Sequence, residues 1–156
     1  MSYTFGLSPN TRLSARIVNV TAEANSIYPT LRLEIEFSNF GPTQAFLSDF
    51  TGRLFLRTDT QFYVGAISTD LPLLRLDNGA SLSIGFYTTI DFYGLAQIER
   101  LRGNRDLTLG ANIAFSAAIP GQPLQSSQIN VTNRTPKSDW VETLLTAFQY
   151  KQVFLL

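Results

Sequence analysis

At 156 residues, with 44% hydrophobic and 15% charged residues, the chain suits one folded domain with a full core and excludes a disordered polymer. Its 12 basic and 12 acidic residues cancel, so it offers no broad field for nucleic acid or an anionic membrane. It has no cysteine and no histidine, which excludes disulfides, thiolate nucleophiles, histidine-based triads and the commonest metal ligand.

Residues 1–10 lack a basic start followed by an apolar run, so they do not read as a signal peptide. No window approaches the roughly 18 apolar residues of a membrane span. The expected location is cytoplasmic, and the N-x-T sequons at Asn19, Asn130 and Asn133 are then incidental.

The elements follow in chain order. Tyr3, Phe5 and Leu7 alternate in 2–10, as in a short edge strand. Leu13, Ala15 and Ile17 place a strand over 11–21, and residues 23–26 turn. In 30–38, Leu31, Leu33, Ile35 and Phe37 alternate with Arg32, Glu34, Glu36 and Ser38: one apolar and one polar face. Asn39, Gly41 and Pro42 end it. A short strand at 44–48 and another at 52–57 follow, the second with Leu54 and Leu56 inward and Arg53, Phe55 and Arg57 on the other face. Residues 62–67 form the next strand.

Pro72 marks 71–76 as an edge or crossing segment. Asp77, Asn78 and Gly79 signal a turn before a strand at 81–88. The period then becomes helical over 91–102, through Leu95 and Ile98, with Asp91 as cap and Gly103 as stop. Alternation returns over 106–115. Pro120, Gly121 and Pro123 make a loop, and 128–133 is a short strand. Asp139 and Glu142 have capping-box spacing at the head of a second helix, with Trp140, Val141, Leu144, Leu145 and Phe148 on its apolar face. The apolar end at 153–156 reads as a terminal strand, and the chain as the N-terminal domain of a longer protein.

Roughly seven to nine short strands with regular turns give a mainly β chain, an antiparallel sandwich of Ig-like or fibronectin-like type with two short helices. Periodicity leaves a closed barrel as the alternative.

The order of features over 16–117 resembles the water-stress and hypersensitive-response domain of the late embryogenesis abundant group-two proteins. The residues that carry this are the strand-to-turn run LEIEFSNFGP at 33–42, the apolar pattern GRLFL at 52–56, and GASLSI at 79–84. The family usually has Asn-Pro where this chain has Asn39-Phe40-Gly41-Pro42. The resemblance implies a non-enzymatic Ig-like fold with no catalytic or cofactor residues.

Three sets of residues are candidate binding groups. Arg100, Arg102 and Arg105 cluster at the end of the first helix; they suit an acidic partner, or simply offset the helix dipole. Phe86-Tyr87 and Phe92-Tyr93, with Phe62-Tyr63, form an aromatic-rich set whose rings either fill the core or, for tyrosines such as Tyr87 and Tyr93 on the opposite parity, face outward to stack on a ligand. Trp140 either pins the last helix or anchors an interface. Glu34 and Glu36 read as ordinary outer-face charges paired with arginines rather than a glycosidase pair. The expectation is a non-catalytic protein-interaction or accessory domain, without cofactor, metal, nucleic-acid or membrane partner. A stress-protective protein and a small-molecule or carbohydrate-binding module are the alternatives.

Overall fold

The computed structural model describes residues 13–23, 29–57, 60–90, 92–101 and 108–134, with backbone only at 92, 101, 133 and 134. Eight strands and one helix lie within them: β1 Leu13–Glu23, β2 Thr30–Asn39, β3 Ala45–Arg57, β4 Gln61–Ile67, β5 Leu73–Leu76, β6 Ser81–Thr89, α1 Phe92–Leu101, β7 Thr108–Ala118 and β8 Gln125–Arg134. The expected strands at 2–10 and 153–156 and the helix beginning near Trp140 lie outside the described residues.

The strands form two antiparallel sheets. One has the order β1-β2-β6; the other runs β4-β3-β7-β8, with β5 paired to the first half of β3 on the edge that β4 takes further along. The closed-barrel alternative is therefore not what forms among the described residues. Among the described residues the two sheets remain separate ladders, joined on one side by a bridge in which Ser68 and Tyr87 exchange backbone bonds of 3.0 and 2.8 Å.

The core lies between the sheets. Leu31, Leu33, Ile35 and Phe37 of β2 are fully buried, as their alternation requires. They meet Leu54 and Leu56 of β3, Ile113 and Phe115 of β7, and Ile129 and Val131 of β8. Four rings cross the interlayer space. Phe50 of β3 lies 5.8 Å from Phe37, 5.9 Å from Phe86 and 5.9 Å from Phe115.

Two expected strands prove to be one. The expected strands at 44–48 and 52–57 both fall on the single 13-residue strand β3, which begins at Ala45. Its inward residues are odd-numbered at Ala45 and Leu47 but even-numbered at Phe50, Leu54 and Leu56. A bulge makes the switch: Ser48 faces Ser116 and Thr51 faces Ala114, so Asp49 and Phe50 together oppose Phe115. Asp49 takes the left-handed conformation there, with φ 55°. Similar one-residue slips occur at Val18 in β1 and Val64 in β4. Strand β8 is longer than the expected 128–133, because Gln125–Ser127 pair with β7 without any apolar alternation to announce them.

The turns form as their residues dictate. Ala80 donates to Asp77 at 2.9 Å with Gly79 at φ 77°, and Gln122 donates to Ile119 at 3.0 Å with Gly121 at φ 81°. Both place glycine third, where a type II turn needs positive φ. Buried Asn39 ties the end of β2 to two other segments. Its Nδ2 donates to the carbonyls of Thr43 and Leu76, each at 2.9 Å, and its Oδ1 accepts from Gly41 N–H at 2.9 Å. In α1, Leu95 and Ile98 face inward at 1% exposure, as their spacing predicts.

Candidate binding face of the larger sheet

Beyond the bulge, β3 alternates Leu54 and Leu56 inward with Arg53, Phe55 and Arg57 outward. Register sets what lies beside them. Phe55 faces Tyr63 on one side and Gly110 on the other, and Gly110 faces Thr132. Arg53 faces Asn112, which faces Asn130. Arg53, Phe55, Gly110, Asn112, Asn130 and Thr132 line a solvent-open groove of about 600 Å³ that runs along β3, β7 and β8, and Tyr63 packs on Phe55 beside it.

Gly110 supplies the depth. A Cβ there would sit 3.7 Å from Arg57 Cδ and 3.7 Å from Thr132 Cγ2, in ordinary contact, so the missing side chain leaves a hollow between two taller neighbours. Arg57 Nε donates to Gln61 Oε1 at 2.7 Å, which steadies the guanidinium. Asn112 Nδ2 donates to Asn130 Oδ1, leaving Asn112 Oδ1 as an acceptor and Asn130 Nδ2 as a donor. The rings of Phe55 and Tyr63 meet at 5.8 Å with 62° between their planes, an edge contact rather than a flat platform.

The described lining contains two arginines and no carboxylate. The ion pairs among the described residues are Arg16 with Glu36 at 2.9 Å and Arg75 with Asp77 at 3.0 Å, both elsewhere. Arginine stays protonated and gives forked donors, so the described lining can bind anions and polar groups.

The outer face of the smaller sheet is electrostatically satisfied by comparison. Glu36 holds Arg16, the cross-strand pairing expected of it. Arg32 Nε donates to Tyr87 Oη at 3.2 Å, and its guanidinium lies 5.8 Å from that ring's centre. The hydrogen bond that Arg32 donates to the Tyr87 hydroxyl holds the Arg32 pKa above its ordinary value. Gly85 makes room for this arm, since a Cβ there would lie 3.2 Å from Arg32 Nε.

The expected binding residues are dispersed. Tyr87 does face outward on β6, but Arg32 occupies its hydroxyl. Tyr93 is 67% exposed on α1. Arg100 packs its guanidinium 5.1 Å from the centre of Phe62 and donates to Gln97 at 2.6 Å. Arg102, Arg105 and Trp140 lie outside the described residues. Arg53, Phe55 and Arg57 were visible in the sequence as one outward row. Gly110, Asn112 and Asn130 were not, because only strand register brings them alongside. No group of three or more acidic, histidine or cysteine residues positioned to hold a metal occurs among the described residues, and none of their helices is long and apolar enough to cross a membrane.

No protein-family model and no curated protein matches the chain. Solved structures similar to it include a protein from Archaeoglobus fulgidus, with TM-score 0.43 and 9% identity over 81% of this chain and 97% of that one. The putative ApaA protein from Bordetella pertussis gives 0.40 and 8% over 88% and 96%. The sporulation control protein Spo0M from Bacillus subtilis gives 0.37 and 12% over 96% and 54%. At these values the likeness assigns neither a fold family nor a function.

Proposed function

We propose that this chain is a non-catalytic protein-interaction or accessory domain that binds its partner on the outer face of the larger sheet. The observation that carries this reading is the groove over β3, β7 and β8: two arginines without a described carboxylate partner, set around Phe55 and side-chain amides, with Tyr63 packed on Phe55 at its border. Aromatic residues and arginine are the types enriched where proteins meet. The edge-on geometry of Phe55 and Tyr63 favours this over a carbohydrate module, which would stack a sugar on a flat ring.

The strand order supports an Ig-like or fibronectin-like assignment. With β4 and β5 counted as edge strands, the first, second and sixth strands face a sheet built on the third, seventh and eighth, the arrangement of the A-B-E and C-F-G strands of such sandwiches.

Photo-crosslinking in cells tests the interaction. Benzoylphenylalanine replaces Tyr63, which packs on Phe55 beside the groove, or Tyr87 on the opposite sheet as control. Discrete adducts from position 63 and none from position 87 are expected. Equal labelling from both faces, or none from position 63, overturns the reading.

A second reading, a stress-protective protein of the water-stress type, is favoured by one observation. Asn39 stands in the turn where that family has its asparagine, and it bonds both to its own loop and to the end of β5. That role needs no ligand groove. It would show as protection of a client enzyme through drying, unchanged when Arg53 and Arg57 are both replaced by Gln.

A further inference from the structure

We propose that the groove takes an extended acidic segment of a partner protein, with two carboxylates four residues apart seated on Arg53 and Arg57. This rests on the interaction reading above and adds the partner's chemistry. Strand residues rise about 3.4 Å each, so the two arginine Cα atoms stand about 13–14 Å apart, both on the outward parity of β3. A partner segment lying extended along the groove has the same rise. Its side chains at i and i+4 share a face and fall in step with the arginines.

The rest of the lining meets what lies between those two carboxylates. Both edges of β3 and β7 are already paired, so an incoming backbone cannot join the ladder. Its polar groups must be met by side chains. Asn112 Oδ1 can accept from an N–H and Asn130 Nδ2 can donate to a C=O, the two halves of a peptide unit. The hollow at Gly110, beside the Phe55 ring, admits a small or apolar side chain midway between the carboxylates. Charge complementarity fixes the sign of the partner: the described lining is cationic and holds no acid.

The test is amide chemical-shift mapping with isotope-labelled protein and synthetic nine-residue peptides. One peptide carries two glutamates four apart in a Ser/Ala background, one carries them two apart, and one has glutamine at both sites. A galacturonic acid hexamer is the fourth probe. The four-apart peptide is expected to shift amides within 51–57, 110–114 and 128–132, and to bind at least tenfold more tightly than the two-apart peptide. The glutamine peptide should not bind. Arg53→Gln and Arg57→Gln should each weaken binding at least tenfold. Gly110→Ala should weaken it several-fold while the melting temperature stays near that of the wild type, because a Cβ at that position meets only ordinary contacts.

Binding indifferent to spacing, or unchanged in Arg53→Gln, overturns the proposal. So does binding of the uronate hexamer with no binding of the peptides. If crosslinks form at position 63 while all the peptides fail, only the acidic-segment chemistry falls. If crosslinks and peptides both fail, the interaction reading falls with it.

Discussion

Asn39 shows how much structure one side chain can hold. It is 2% exposed, and its amide bonds three backbone groups drawn from the loop after β2 and the end of β5. Asn39→Ala leaves those groups without their partner in a buried place. Each unsatisfied group costs about 1–3 kcal/mol, so a loss of about 3 kcal/mol in urea unfolding is expected. Asn39→Asp should be worse at neutral pH. It keeps an acceptor for Gly41 N–H but sets a carboxylate against two carbonyl oxygens. Burial and those carbonyls would push its carboxyl pKa up, so the deficit is largest above that pKa and shrinks as pH falls through it. An Asn39→Asp variant as stable as the wild type at neutral pH would show that the latch is not needed. Gly52 is a second such position. A Cβ there would lie 2.6 Å from Ile67 Cγ1 and 3.2 Å from Asn112 O. Gly52→Ala should cost about 1–3 kcal/mol by overpacking. Much of that cost should vanish in an Ile67→Ala background, a coupling that a double-mutant cycle measures directly.

At the scale of elements, bulges explain both what the sequence made legible and what it hid. Strand β2 has no slip, and its alternation from Leu31 to Phe37 was readable whole. The apolar parity of β3 changes between Leu47 and Leu54, so the sequence reads as two strands there, because alternation alone cannot distinguish a bulge from a break. Strand β8 was clipped because Gln125–Ser127 are polar strand residues held by pairing, not by burial. The outward row Arg53, Phe55 and Arg57 was legible for the same reason as the inward one. The groove was not, because Gly110, Asn112 and Asn130 lie more than 50 residues further along. Deletions test the bulge. Removing Asp49 leaves Ala45, Leu47, Phe50, Gly52, Leu54 and Leu56 in unbroken alternation, and it removes a non-glycine residue at φ 55°. That variant should stay folded and melt cooperatively, within about 2 kcal/mol of the wild type, the scale of strain released and pairing disturbed. Removing Phe55 instead sets Leu54 and Leu56 next to each other, so that one of them must leave the core face, and should abolish the cooperative melt seen by circular dichroism. Equal tolerance of both deletions would mean that β3 register is not set by its core face.

For the molecule as a whole, zero net charge conceals an uneven distribution. The smaller sheet presents Arg16, Arg32, Glu34 and Glu36 together, with Arg16 and Glu36 directly paired. The described lining of the larger sheet's groove presents Arg53 and Arg57 without an acid. Stability and recognition should therefore respond differently to salt. The two described ion pairs are largely exposed, and such pairs contribute about 0–1 kcal/mol, so screening them changes little. What holds the sheets together is apolar, and Phe50 is its clearest bridge, since it reaches from β3 to Phe37 and Phe86 across the interlayer space. Phe50→Ala should cost about 3 kcal/mol, which for a domain of this size lowers the melting temperature by roughly 10 °C. Raising salt from 0.05 to 0.5 M should move the wild-type melting temperature by far less than that substitution does, because a Debye length of a few ångströms leaves buried rings untouched. Calorimetry of wild type and Phe50→Ala at both salts decides the matter. A large drop with salt and a small one with Phe50→Ala would place the stability in the surface charges and not in the rings between the sheets.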